Sequence, residues 1–96
     1  MEKSKHADRE ALCRAILSLQ TVDECEAFLD DICTIRELQD LTQRYSVAVL
    51  LDAGKNYMDV SRETGASTAT ISRVNKCLNY GSRGYRTVLD RREEKP

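Results

Sequence analysis

Apolar positions recur along this chain with a helical period almost throughout. Leu12, Ala15, Ile16 and Leu19 fall at i, i+3, i+4 and i+7, one stripe of an amphipathic helix. The stripe predicts a first helix from about Asp8 to Ser18 or Leu19, with the residues before Asp8 frayed. Thr21-Val22-Asp23-Glu24 then has the form of a capping box, in which the threonine hydroxyl accepts from an N–H three residues on and the glutamate reaches back. The helix it opens carries Val22, Cys25, Leu29, Ile32 and Cys33 on one side and Asp23, Glu24, Glu26 and Asp30 on the other. A second box, Thr34-Ile35-Arg36-Glu37, starts the longest helix, from Ile35 to about Asp52. Its apolar residues are Ile35, Leu38, Leu41, Tyr45, Ala48 and Val49, and Val47, Leu50 and Leu51 widen the stripe. A helix that is apolar on more than one side requires partners on more than one side. A chain this small supplies few, which points to an intertwined dimer.

Gly54 stops the long helix, and Asn56 is placed to cap the next, with Asp59 in its first turn favouring the helix dipole. That helix is expected to run to about Glu63. Gly65 and Ala66 form a turn, and Ser67 caps a further helix from Thr68 to about Asn79. Gly81-Ser82-Arg83-Gly84 is a break before a last short helix, about Tyr85 to Arg92, with Tyr85, Val88 and Leu89 on one side. The reading is all-α: six short helices forming a single domain over residues 1–96.

The stretch from Asn56 to Asn79 has the spacing of a helix-turn-helix. Gly65 tolerates the left-handed backbone of a sharp turn. Ser61, four residues earlier, is small enough to let a second helix cross closely, and Val60, Ile71 and Val74 sit where the crossing would bury them. On the second helix a step of about 100° per residue groups Ile71, Val74, Asn75 and Leu78 inward. Thr68, Ala69, Ser72, Arg73 and Lys76 share the opposite face. Small residues there permit close approach to a groove. Hydroxyls bond bases, phosphates or bridging waters, and methyl groups touch thymine. Arg73 and Lys76 reach phosphates or a guanine, and the free N–H groups at the helix start add an anion site.

Charge supports this once it is divided. Residues 1–66 hold 8 basic and 13 acidic side chains, whereas residues 67–96 hold 7 basic and 3 acidic ones. The net charge of −1 conceals a positive C-terminal third, part of it in the tail from Arg91 to Lys95. The longest apolar run, Val47 to Leu51, is far short of the roughly 20 residues of a membrane span. The polar start MEKSKHADRE does not read as a signal peptide, and the expected location is cytoplasmic. Cys13, Cys25, Cys33 and Cys77 form no C-x-x-C pair, and His6 is the one histidine, so no zinc site is predicted. Cys25 and Cys33 would lie about 12 Å apart along one helix, too far for a disulfide, and the four are expected to be small buried hydrophobes. No nucleophile–base arrangement is visible, so catalysis is not expected, and no cofactor is implied.

The runs Gly65-Ala66-Ser67-Thr68-Ala69-Thr70-Ile71-Ser72-Arg73, Leu50-Leu51-Asp52-Ala53-Gly54-Lys55 and Leu78-Asn79-Tyr80-Gly81 resemble the Trp repressor family, in its small Trp-repressor-like YerC/YecD branch. The resemblance covers nearly the whole chain. It implies a bacterial DNA-binding transcription regulator, a repressor, built as an intertwined homodimer of six-helix protomers. Two helix-turn-helix heads would read a palindromic operator in double-stranded DNA, with half-sites ~34 Å apart. Carried over by position, the DNA-binding residues are Ser67, Thr68, Ala69, Thr70 and Ser72, beside Arg73 and Lys76 from the charge argument. Lys55 and Arg83 are further phosphate candidates. In tryptophan-binding members two arginines sandwich the indole. Arg73 matches one; Gln43, with Arg44 adjacent, stands at the other. Val74 occupies a position held by glycine, and Cys33 one held by threonine, while Thr70 keeps another threonine. The candidate effector pocket is thus Gln43, Arg44, Thr70, Arg73 and Val74. Filling a ring slot with a valine side chain costs about 1–3 kcal/mol, so tight tryptophan binding is not expected and any effector is an unknown small molecule.

Two other readings fit the chain. An interaction module with this fold and no DNA binding is compatible with the acidic N-terminal half. A thiol-based sensor would use Cys33 or Cys77. The salt dependence of DNA affinity separates the first from a regulator, and serine substitutions separate the second.

Overall fold

A computed structural model describes residues 2–92, with side chains from Lys5 to Arg92. The described residues form six α-helices and no strand: α1 (Glu2–Leu17), α2 (Val22–Ile32), α3 (Ile35–Asp52), α4 (Tyr57–Thr64), α5 (Thr68–Tyr80) and α6 (Gly84–Asp90). The all-α expectation and the order of the six elements hold.

Local chemistry accounts for the boundaries. Thr34 and Glu37 close a reciprocal capping box: Glu37 N donates to Thr34 Oγ1 at 3.0 Å, and Thr34 N donates to Glu37 Oε1 at 2.8 Å. At α2 the arrangement is shifted. Glu24 N donates to Thr21 Oγ1, but the Glu24 carboxylate accepts from Gln20 N, one residue before the cap. Asn56 caps α4 by accepting from Asp59 N at 2.9 Å. α1 starts at Glu2 and not at Asp8, because Lys, Glu, Arg and Ala are good helix formers and neither Gly nor Pro interrupts them. Arg14 bonding Glu10 at 2.6 Å, one turn away, supports it. α6 ends at Asp90, two residues before the expected Arg92.

The chain divides after Leu38 into two compact units. In the C-terminal unit α5 packs against both α4 and α6. Its core is Val47, Ala48, Val60, Ala66, Ile71, Val74 and Leu89, with Val49, Leu50, Leu51, Leu78 and Tyr85 packed around them. Every fully buried apolar residue among those described belongs to this unit. Leu89 is its contribution from α6, whereas Val88, expected on the same side, is half exposed. Arg86 fastens α6 to the end of α3 through Asp52 at 2.8 Å, and pairs with Asp90 at 3.0 Å. These two bonds, Asp52 first, raise the arginine pKa above its ordinary value.

The N-terminal unit contains no fully buried apolar residue among those described. Leu17 and Val22 are 82% and 72% exposed, and Ile35 80%. The cysteine expectation is corrected here. Cys13 and Cys77 are exposed and Cys25 and Cys33 half-buried, all as free thiols, because the faces that carry them are left open or only partly covered within one chain.

Candidate nucleic-acid interface

The turn between α4 and α5 is set by Gly65, whose φ of 75° lies in the left-handed region that a side chain disfavours. Gly65 N donates to Ser61 O at 2.8 Å and closes the end of α4. Ser61 Oγ donates to Ala66 O at 2.9 Å, so the small residue at this position is also a hydrogen-bond donor to the turn. Ala66 is buried beneath it. Ser67 then caps α5, accepting from Thr70 N at 3.1 Å, and its hydroxyl donates to Thr70 Oγ1 at 3.2 Å. Thr70 is half-buried and takes part in the cap.

α5 has two opposed faces. Ile71 and Val74 are 0% and 1% exposed, meeting Val60 and Val47 in the core, with Leu78 and Asn75 half-buried beside them. Ser67, Thr68, Ala69, Ser72, Arg73 and Lys76 are all exposed. The face carries three hydroxyls, those of Ser67, Thr68 and Ser72, with the Ala69 methyl group among them, and two cations, Arg73 and Lys76, further along the helix. Among the described residues neither Arg73 nor Lys76 is held in an ion pair. Arg86, counted with the basic third of the chain, is engaged by Asp52 and Asp90 and does not add to this surface. Lys55 and Arg83 are exposed.

Arg83, expected as a phosphate contact, lies in the break between α5 and α6. Its φ is 67°, a left-handed conformation that costs a side-chain-bearing residue about 1–2 kcal/mol. It opens α6 without a side-chain cap, and Thr87 N and Oγ1 bond its carbonyl at 2.9 and 2.8 Å. Gly81 precedes it. A Cβ there would stand 2.4 Å from the Cys77 carbonyl oxygen, so the chain leaves α5 through a space only glycine fits.

The candidate effector residues differ in exposure. Val74 lies in the core, Arg73 is exposed, and Gln43 and Arg44 are half-buried on α3. The Gln43 amide is already occupied: Nε2 donates to Thr64 O at 3.2 Å. An open apolar groove of about 540 Å³ lies elsewhere, between Tyr45 of α3, Cys77 of α5, and Tyr85 and Val88 of α6. No residue of the candidate effector set lines it. Among the described residues no helix is long and apolar enough to cross a membrane.

With this geometry in place, comparison with known proteins gives consistent results. The family model for the Trp repressor protein matches residues 7–93. The uncharacterised protein YerC of Bacillus subtilis is 49% identical over 94 residues, covering 98% of this chain and 90% of YerC. The crystal structure of a TrpR-like protein from Eubacterium eligens superposes with a TM-score of 0.86 at 49% identity, covering 95% of this chain and 94% of that one. A candidate Trp repressor from Staphylococcus aureus gives a TM-score of 0.86 at 46% identity, over 94% and 90% of the two chains.

Proposed function

The chain belongs to the Trp repressor family, a family of regulators and not a known enzyme family, and on that premise we propose that it is a sequence-specific DNA-binding transcriptional repressor. It acts as a cytoplasmic homodimer on a palindromic operator. α5 is the recognition helix. One observation carries the reading: α5 buries Ile71 and Val74 completely while leaving Thr68, Ala69, Ser72, Arg73 and Lys76 exposed as one polar and cationic face. Thr68, Ala69 and Ser72 approach base edges, and Thr70 supports them through the Ser67 cap. Arg73 and Lys76 hold phosphates or a guanine, with Lys55 and Arg83 as outlying phosphate contacts.

The exposed apolar residues of the N-terminal unit support the homodimer. Leu12, Ile16, Leu17, Val22, Ile32 and Ile35 expose an apolar surface that a second copy would cover, and the whole chain works as one domain in that assembly. The burial of Val74 and the bond made by Gln43 speak against a tryptophan slot among Gln43, Arg44, Thr70, Arg73 and Val74.

Selection of bound duplexes from random-sequence DNA tests the proposal. The expected result is a two-fold symmetric consensus, with half-sites one helical turn apart and an affinity that falls steeply with salt. Absence of DNA binding at low salt overturns it and favours the interaction module, whose surface would be the exposed acids Asp23, Glu24, Glu26 and Asp30.

A further inference from the structure

The polar groups at the α4–α5 turn satisfy one another over short distances in sequence. Gly65 N bonds Ser61 O, Ser61 Oγ bonds Ala66 O, Thr64 Oγ1 donates to Val60 O at 2.7 Å, and Ala66 N donates to Thr64 Oγ1 at 3.1 Å. The Thr64 carbonyl differs. It belongs to the last turn of α4, where carbonyls lack intrahelical donors. Its donor comes from another helix, Gln43 Nε2 on α3, 21 positions earlier, in a half-buried bond of 3.2 Å. The same nitrogen stands 4.0 Å from where a Cβ on Gly65 would be, so the glutamine amide lies over the left-handed residue of the turn.

This bond has a role that packing does not fill. The hydrophobic attraction among Val60, Ile71 and Val74 is non-directional, so their packing sets the helix crossing coarsely and leaves small rotations about the contact less restrained. A donor–acceptor pair has a preferred length and angle and does fix them. We propose that Gln43 is a positioning residue for the recognition helix: its amide fastens the turn to α3 and holds α5 in its DNA-reading pose with no small molecule bound. This rests on α5 being the helix that reads DNA. The requirement is a neutral donor of this length. Methionine has the length without the donor, and glutamate sets a second acceptor against the carbonyl.

The test uses the full chain carrying Gln43→Met or Gln43→Glu. Four quantities are read: affinity for one fixed duplex from the pool the wild-type protein selects, as a function of salt; the thermal midpoint; amide hydrogen exchange at Gly65, Ala66 and Ser67; and the carbonyl ¹³C shift of Thr64. Both variants are expected to move the Thr64 shift and to speed exchange at the turn. Affinity falls about three- to tenfold with methionine, as for one lost hydrogen bond, and further with glutamate. The salt slope is unchanged because the same phosphates are met in the complex. The thermal midpoint stays close to that of the wild type. Wild-type affinity in the glutamate variant overturns the proposal. So does a loss of affinity matched by a proportionate fall in the midpoint, which makes Gln43 merely structural. If the wild-type protein binds no DNA, the regulator reading fails by itself. The turn measurements then decide the fastening: faster exchange and a shifted carbonyl support it, and unchanged values overturn it.

Discussion

The two units of this chain both carry apolar stripes along their helices and treat them in opposite ways. In the C-terminal unit Val47, Val60, Ile71 and Leu89 have no exposed surface, and the polar groups of the turn are matched by Ser61, Thr64 and Gln43. In the N-terminal unit Leu17 and Val22 are almost as open as free side chains. Both units obey the same hydrophobic effect, which favours removing such surface from water at about 25 cal/mol per Å². The difference is where the cover comes from. α4, α5, α6 and the later turns of α3 cover one another. Within the N-terminal unit the described residues of α1 and α2 leave their apolar stripe open, and this is the surface that the proposed second copy would cover.

That contrast can be broken or sharpened by measurement. The largest effect is expected in the core. Ile71→Ala removes a fully buried side chain from the contact with Val60 and Val74 and should cost about 2–5 kcal/mol, seen as a lower thermal midpoint. Next comes the open face. Val22→Asp or Leu17→Asp places a charge where the partner would sit. Each should forfeit about 1.5–3 kcal/mol per protomer and turn a dimer into monomer in sedimentation. An unchanged mass at all concentrations would show that the stripe is not an interface. Arg73→Ala touches neither unit's apolar contacts and isolates the proposed DNA-binding face. It should lower the salt slope by about one and weaken binding about tenfold at ~0.1 M salt, with stability unaltered. Ser67→Ala is the smallest, about 1 kcal/mol, from a lost cap at the start of α5. It separates the ordering of α5 from the contacts that its outer face makes.

Much of this architecture was legible from residue types. The capping pairs at Thr34 and Glu37 and at Asn56 and Asp59 are short-range chemistry, so helix starts could be read to the residue. Gly65 was legible because a left-handed turn narrows the choice to glycine. The inward and outward faces of α5 followed from the helical period alone. The extension of α1 to Glu2 was missed because helix propensity without an apolar stripe is a weak signal. The pairing of Arg86 with Asp52 was missed because the partners are 34 positions apart and nothing in either residue names the other. Arg83 was counted as a cation, and its left-handed backbone gave no sign in composition.

Local chemistry in the sequence was enough for the order of the helices, the caps at Thr34 and Asn56, the turn at Gly65 and the face that α5 turns outward. Each of these depends on groups within about four residues of one another, where chain connectivity fixes the geometry. Which cations stay available emerged with the folded chain, since Arg86 is held by carboxylates and, among the described residues, Arg73 and Lys76 are not. The Gln43 bond to the Thr64 carbonyl likewise became visible only in the folded chain. These outcomes depend on which distant side chains arrive at the same place, and a hydrogen bond made or missed there is settled within a few tenths of an ångström.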